Sequence, residues 1–140
     1  MSEAVVMNDN EAPGYVVSRK DDPNYVEGRR AFFEYIDLGT QEASEGKIRI
    51  QITKAKEGLV KPTGWHKHLC EGQFVYMIDG YLDLCFADGT VRLESGDSIY
   101  IPGGVAHNET GTSDTFDLME ISIPAKMETE VCDPPAGMSA

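Results

Sequence analysis

Along the middle of this chain apolar and polar residues alternate with a period of two. Ile48, Ile50 and Ile52 alternate with Lys47, Arg49 and Gln51. Residues 47–53 therefore predict a half-buried strand, and the pattern leaves open which face is the inner one. The aromatic run at 31–38 (AFFEYIDL) reads as another strand, as do 64–69, 73–79, 81–86, 90–93, 98–101, 105–109 and 115–123. Turn chemistry separates these segments: Pro62-Thr63-Gly64, Glu71-Gly72, Asp79-Gly80, Asp88-Gly89, Ser95-Gly96 and Pro102-Gly103-Gly104. Asp88-Gly89, set between two strand patterns, is a hairpin signal. No segment keeps a helical stripe over three turns, and the best helical candidate, 40–46, is short and polar. Many short strands at close spacing predict an all-β sandwich or barrel.

The ends differ from the middle. Residues 1–28 carry Pro13, Gly14, Asp21, Asp22 and Pro23 as breakers and read as an N-terminal extension. Residues 29–124 form the expected domain, and 125–140 an extended or unstructured tail rich in Pro, Glu, Gly and Ser. At 140 residues the chain is long enough for one domain with a real core. Its net charge of −12 argues against nucleic acid and anionic membranes as partners. No apolar run approaches the ~18 residues of a spanning helix. The first residues lack the basic and apolar regions of a secretory signal. Three cysteines, Cys70, Cys85 and Cys132, make no disulfide framework and fit a reducing, cytoplasmic setting. With no C-x-x-C, a thiolate zinc site is not expected.

The chemistry concentrates in the three histidines, His66, His68 and His107. Residues i and i+2 of a strand point to one face, with Cα atoms roughly 6.5–7 Å apart. Two imidazoles so placed can share one ion at ~2.0–2.1 Å per nitrogen. His107 must come from another strand, placed by the Pro102-Gly103-Gly104 turn. In this arrangement the sequence resembles the cupin family. Its first motif runs through His66 and His68 to Gly80, and its second through Gly96, Pro102, Gly104 and His107, with Gly111 where asparagine is usual. Together the motifs cover residues 64–111, and the flanking strands extend the match to about 30–123. The resemblance implies a cupin double-stranded β-helix, a jelly-roll barrel, holding a divalent metal ion; Fe, Ni, Zn, Mn and Cu are not distinguished. Two departures stand out. Gly64 lies closer to His66 than the motif asks, and Gln73 occupies the position of the usual glutamate, ahead of Glu71 as the alternative. The expected ligands are thus His66, His68, Gln73 and His107.

Three imidazoles and an amide would leave the ion its full charge, which favours a small anionic substrate such as an enolate, a dicarbonyl or a catecholate. The leading reading is a metal-dependent dioxygenase, by resemblance to three-histidine dioxygenases. A non-redox lyase, isomerase or polyketide cyclase stands second, and a non-catalytic binding module third. Val75 and Met77 share parity with Gln73 and are expected inside, with Phe74, Tyr76 and Ile78 outside. Glu120 is a candidate general base if its face points inward. Arg49 and Gln51 are substrate-binding candidates on the same condition, Glu109 shares the parity of His107, and Tyr100 could line the mouth. Trp65 is expected to pack against the N-terminal strand or a partner. The aromatic edge at Phe32, Phe33 and Tyr35, together with the family resemblance, implies a homodimer.

Overall fold

The computed structural model describes residues 14–28, 30 and 33–138. Eleven strands and one short helix follow in order: β1 Tyr25–Val26, β2 Phe33–Asp37, α1 Thr40–Ala43, β3 Arg49–Ala55, β4 His66–Leu69, β5 Gly72–Asp79, β6 Leu82–Phe86, β7 Gly89–Leu93, β8 Ser98–Pro102, β9 Asn108–Thr112, β10 Phe116–Ile123 and β11 Glu128–Val131. The alternating and aromatic segments do become strands, because a strand lets one row of side chains be buried while the other meets water. The polar 40–46 stretch yields only the four residues of α1, entered through Gly39 in the left-handed region at φ 80°.

The strands form three sheets, in the orders β1-β2-β3-β10-β5-β8, β11-β4 and β7-β6-β9. This corrects the expectation of a jelly-roll barrel. The arrangement is all-β and cupin-like, but its sheets are not closed into a barrel. The reason lies around the histidines. Where the chain approaches β9, ladder pairing with β4 amounts to one isolated bridge, His66 to His107. After that bridge β9 turns to pair with β6, and β4 spends its ladder on β11. The predicted strand at 105–109 is accordingly realised later, from Asn108, and the residues before it form the turn that delivers His107.

Two segments outside the expected domain join the sheets. β1 pairs with β2, and β11, from the expected tail, pairs with β4 with Thr129 opposite His68. β2 is interior, flanked by β1 and β3. Of the aromatic trio assigned to an exposed edge, Phe32 lies outside the described residues. Tyr35 is buried, and Phe33 packs edge-on against Phe116 at 5.2 Å between centroids.

The core lies between the six-stranded sheet and the β7-β6-β9 sheet. Ala55, Val75, Met77, Phe116 and Leu118 from the first meet Leu82, Leu84 and Leu93 from the second. Val75 and Met77 point inward as their parity requires, while Tyr76 and Ile78 are exposed. On β10 the inward row is Phe116, Leu118, Glu120 and Ser122, since Phe116, Leu118 and Ser122 are buried. On β3 the buried row is Gln51, Thr53 and Ala55, so the polar side of the Ile48–Ile52 alternation faces in. Among the described residues no helix is long and apolar enough to cross a membrane.

Candidate metal centre

The two histidines of β4 share a face by strand alternation, and both are buried. His107 reaches them through the turn at 102–104. Gly103 and Gly104 donate their amides to the carbonyls of Glu71 and His68 at 2.9 Å each, which ties the turn to β4 and its exit. Gly104 needs its φ of 84°, and a methyl group at Gly103 would run into the Cys70 carbonyl, so glycine is required at both positions. The bridge then fixes His107 opposite His66 through two backbone hydrogen bonds of 2.9 and 3.0 Å.

The result is a triad of imidazoles whose ligand atoms all lie within 4.8 Å of one another. Their tautomers are set by the other ring nitrogen. His66 Nδ1 donates to the Gly64 carbonyl at 2.7 Å, and His107 Nδ1 to the Val105 carbonyl at 2.9 Å. A carbonyl only accepts, so each Nδ1 carries the proton and each Nε2 presents a lone pair to the cluster. His68 Nδ1 lies 3.0 Å from the Thr129 hydroxyl, which can accept in the same way. Converging lone pairs from three buried rings are complementary to a cation, and the donor set fits a divalent transition metal.

Glu109, two residues after His107 and on the same face, brings a carboxylate beside this triad. Its Oε2 lies 3.6 Å from His66 Nε2 and 3.7 Å from His107 Nε2. Its Oε1 accepts a 2.6 Å hydrogen bond from Thr63. Burial alone would raise this carboxyl. Against it work His66 and His107, when their rings are protonated, and the Thr63 hydroxyl, and the balance lowers the group to about 2. A carboxylate thus lies beside the triad as well as the amide of Gln73. Parity with His107 was the available signal, and parity alone does not choose between this position and an exposed one.

Gln73 is buried on β5 and lines a cavity of about 180 Å³ together with His68 and Glu109. Glu71 is not in that wall; it sits in the turn, its carbonyl accepting from Tyr100. Tyr100 is itself exposed and is not part of the lining. Arg49, Gln51 and Glu120 do line the cavity, which settles the inner face of β3 and β10. Trp65 is buried beside the ligands in sequence, and its carbonyl accepts from the amide of Cys132. Burial, with the negative charge of Glu71, pushes the Cys70 thiol up, which disfavours the reactive thiolate.

Sequence reasoning had no signal for Thr129, because it comes from a segment with no alternation of burial. Thr129→Val keeps a strand-forming side chain of similar shape and removes the hydroxyl that orients His68. Metal affinity is expected to fall about 10–100-fold, the usual cost of losing such a partner. Competition with a chromophoric chelator measures this, and an unchanged affinity would show that His68 is oriented by something else.

Comparison with known proteins agrees with this fold. A family model described as "Cupin domain" matches residues 56–124. No curated protein matches the chain. Among solved structures, KdgF from a Halomonas species superposes with a TM-score of 0.64 at 14% identity, covering 79% of this chain and 95% of its own. The polyketide cyclase RemF from Streptomyces resistomycificus gives 0.64 at 17% identity, covering 84% and 85%. A salicylate 1,2-dioxygenase from Pseudaminobacter salicylatoxidans gives 0.57 at 17% identity, covering 80% of this chain and 33% of its own. At these identities the likeness is one of fold.

Proposed function

We propose, from the premise that this chain carries a cupin-superfamily domain with a three-histidine metal-coordinating cluster, that it is a metal-dependent, non-redox enzyme of the lyase, isomerase or cyclase kind. In this reading His66, His68 and His107 hold a divalent ion with Gln73 beside them. The substrate is a small oxygenated molecule that can form an enolate. The ion, when bound, would supply Lewis acidity towards a carbonyl or enolate oxygen.

One observation carries the proposal: the cavity that reaches His68 and Gln73 also bears the carboxylate of Glu120. Glu120 Oε1 accepts a 3.0 Å hydrogen bond from Gln51 Nε2, which fixes the carboxylate against the wall. A fixed carboxylate on the wall of an apolar-lined cavity is suited to removing a proton from the carbon next to a carbonyl, and to returning it. Phe33, Val75, Leu84 and Phe116 supply apolar surface to that wall. This arrangement supports proton transfer more directly than the dioxygenase reading. A homodimer and a cytoplasmic location remain part of the proposal; the cysteine pattern supports the second, while the aromatic segment that suggested the first is interior to its sheet.

Deuterium exchange tests the reaction class. Zinc-loaded protein in heavy water, given a panel of small 2-oxo acids and 1,3-dicarbonyls, is expected to wash deuterium into the carbon beside the carbonyl of at least one compound. Glu120→Gln is expected to lower that rate by about 10²–10⁴-fold, the usual contribution of a positioned base. Oxygen uptake by iron-loaded protein with no exchange in any compound would reverse the order of the two enzyme readings.

A further inference from the structure

The cavity has a second polar region, on β3. Strand pairing puts Arg49, Ser122, Gln73 and Ile101 on one rung across β3, β10, β5 and β8. Gln51, Glu120, Val75 and Ile99 form the next rung. Arg49 and Gln73 are therefore two strands apart, roughly 9–10 Å between backbones, and both line the cavity. Thr53 follows on the same face of β3 and lines it too.

Among the described residues Arg49 is held by an amide oxygen and not by a carboxylate. Its Nη1 donates to Gln51 Oε1 at 3.3 Å, and Gln51 passes its own amide hydrogen on to Glu120. The Nε of Arg49 is buried with no hydrogen-bond partner among the described residues, and so is the hydroxyl of Thr53, a residue only 4% exposed. Buried donors without acceptors are costly, and native chains keep few of them. Both occur on the wall of one cavity, so the missing acceptor belongs to whatever fills it. A guanidinium edge matches a planar carboxylate, with a hydroxyl beside it to take a further hydrogen bond. A cavity of about 180 Å³ is of the size that takes a compact ligand.

We propose that Arg49 and Thr53 form a carboxylate-binding subsite on β3, and that the substrate is a small carboxylic acid whose reacting oxygen lies towards the three imidazoles. The inference rests on the metal-dependent reading for the reacting end and on Arg49 and Thr53 alone for the carboxylate end. Arg49 and Thr53 are positioning residues that fix one end of the substrate; neither exchanges a proton with it.

Titration calorimetry with a straight-chain dicarboxylate series, malonate to adipate, tests this, with acetate and inorganic phosphate as single-ended probes. Zinc-loaded protein is expected to prefer one chain length over acetate by about 10-fold or more. Arg49→Met and the near-isosteric Thr53→Val should each reduce that preference while leaving zinc affinity unchanged. A preference that survives both variants, or phosphate binding as tight as the best dicarboxylate, would overturn the subsite. If the protein takes up no zinc, the metal reading fails instead. The metal-free protein then decides the subsite, since its carboxylate affinity must still fall on Arg49→Met and Thr53→Val.

Discussion

Replacing His107 with alanine is expected to abolish stoichiometric metal binding. His107 is fully buried, and its ring is locked by the Val105 carbonyl and lies 4.5 and 5.0 Å, centroid to centroid, from the rings of His66 and His68. Removing it takes away one of three imidazoles and leaves Glu109 beside a single Nε2. The loss should exceed the ~10–100-fold that follows when only an orienting partner is removed. Stability provides an independent readout. An ion at 100 times its dissociation constant raises the stability of a protein that binds it by about 2.7 kcal/mol. The parent chain should therefore gain a higher unfolding midpoint on adding zinc, and His107→Ala should gain none. Equal gains in both proteins would place the bound ion elsewhere.

Met77→Ala is expected to be the most costly single truncation in the core. Met77 is 0% exposed and stands at the centre of the cluster joining the two larger sheets. Its side chain can be removed only by leaving a cavity, because its neighbours sit on strands held in their sheets by ladder pairing. The expected cost is about 2–5 kcal/mol, read from urea unfolding with an unchanged slope. Ile78, the next residue, is exposed on the opposite face, and Ile78→Ala should stay within about 0.5 kcal/mol. Similar losses for the two would mean that β5 does not bury the row containing Gln73, Val75 and Met77. That would also remove Gln73 from the cavity.

The same strand rule explains what the sequence revealed and what it hid. Period two was enough to place Val75 and Met77 inside, and the spacing within the two motifs brought His66, His68 and His107 to one point. On β3 the rule identified the strand but not its direction. Ile50 and Ile52 were the obvious inner residues by hydrophobicity, yet Gln51 and Thr53 are the buried ones. A cavity lined by polar side chains reverses the usual preference, and only the cross-strand partners reveal it: Glu120 opposite Gln51, and Leu118 opposite Thr53. Closure into a barrel was inferred from family resemblance, and it fails at contacts that no local pattern encodes. The bridge between His66 and His107 and the capture of β4 by β11 both depend on residues far apart in sequence. Glu109 belongs to the same class. Its parity was visible, but its approach to two imidazoles depends on the Thr63 hydroxyl, 46 residues away, holding its other oxygen.

The central claim is that the three imidazoles bind one metal ion through their Nε2 atoms. Anomalous diffraction from crystals grown with one equivalent of zinc tests it most directly. The predicted result is a single peak per chain, at ~2.0–2.1 Å from Nε2 of His66, His68 and His107. A peak bonded to other residues, or none at the triad under saturating zinc, would contradict it.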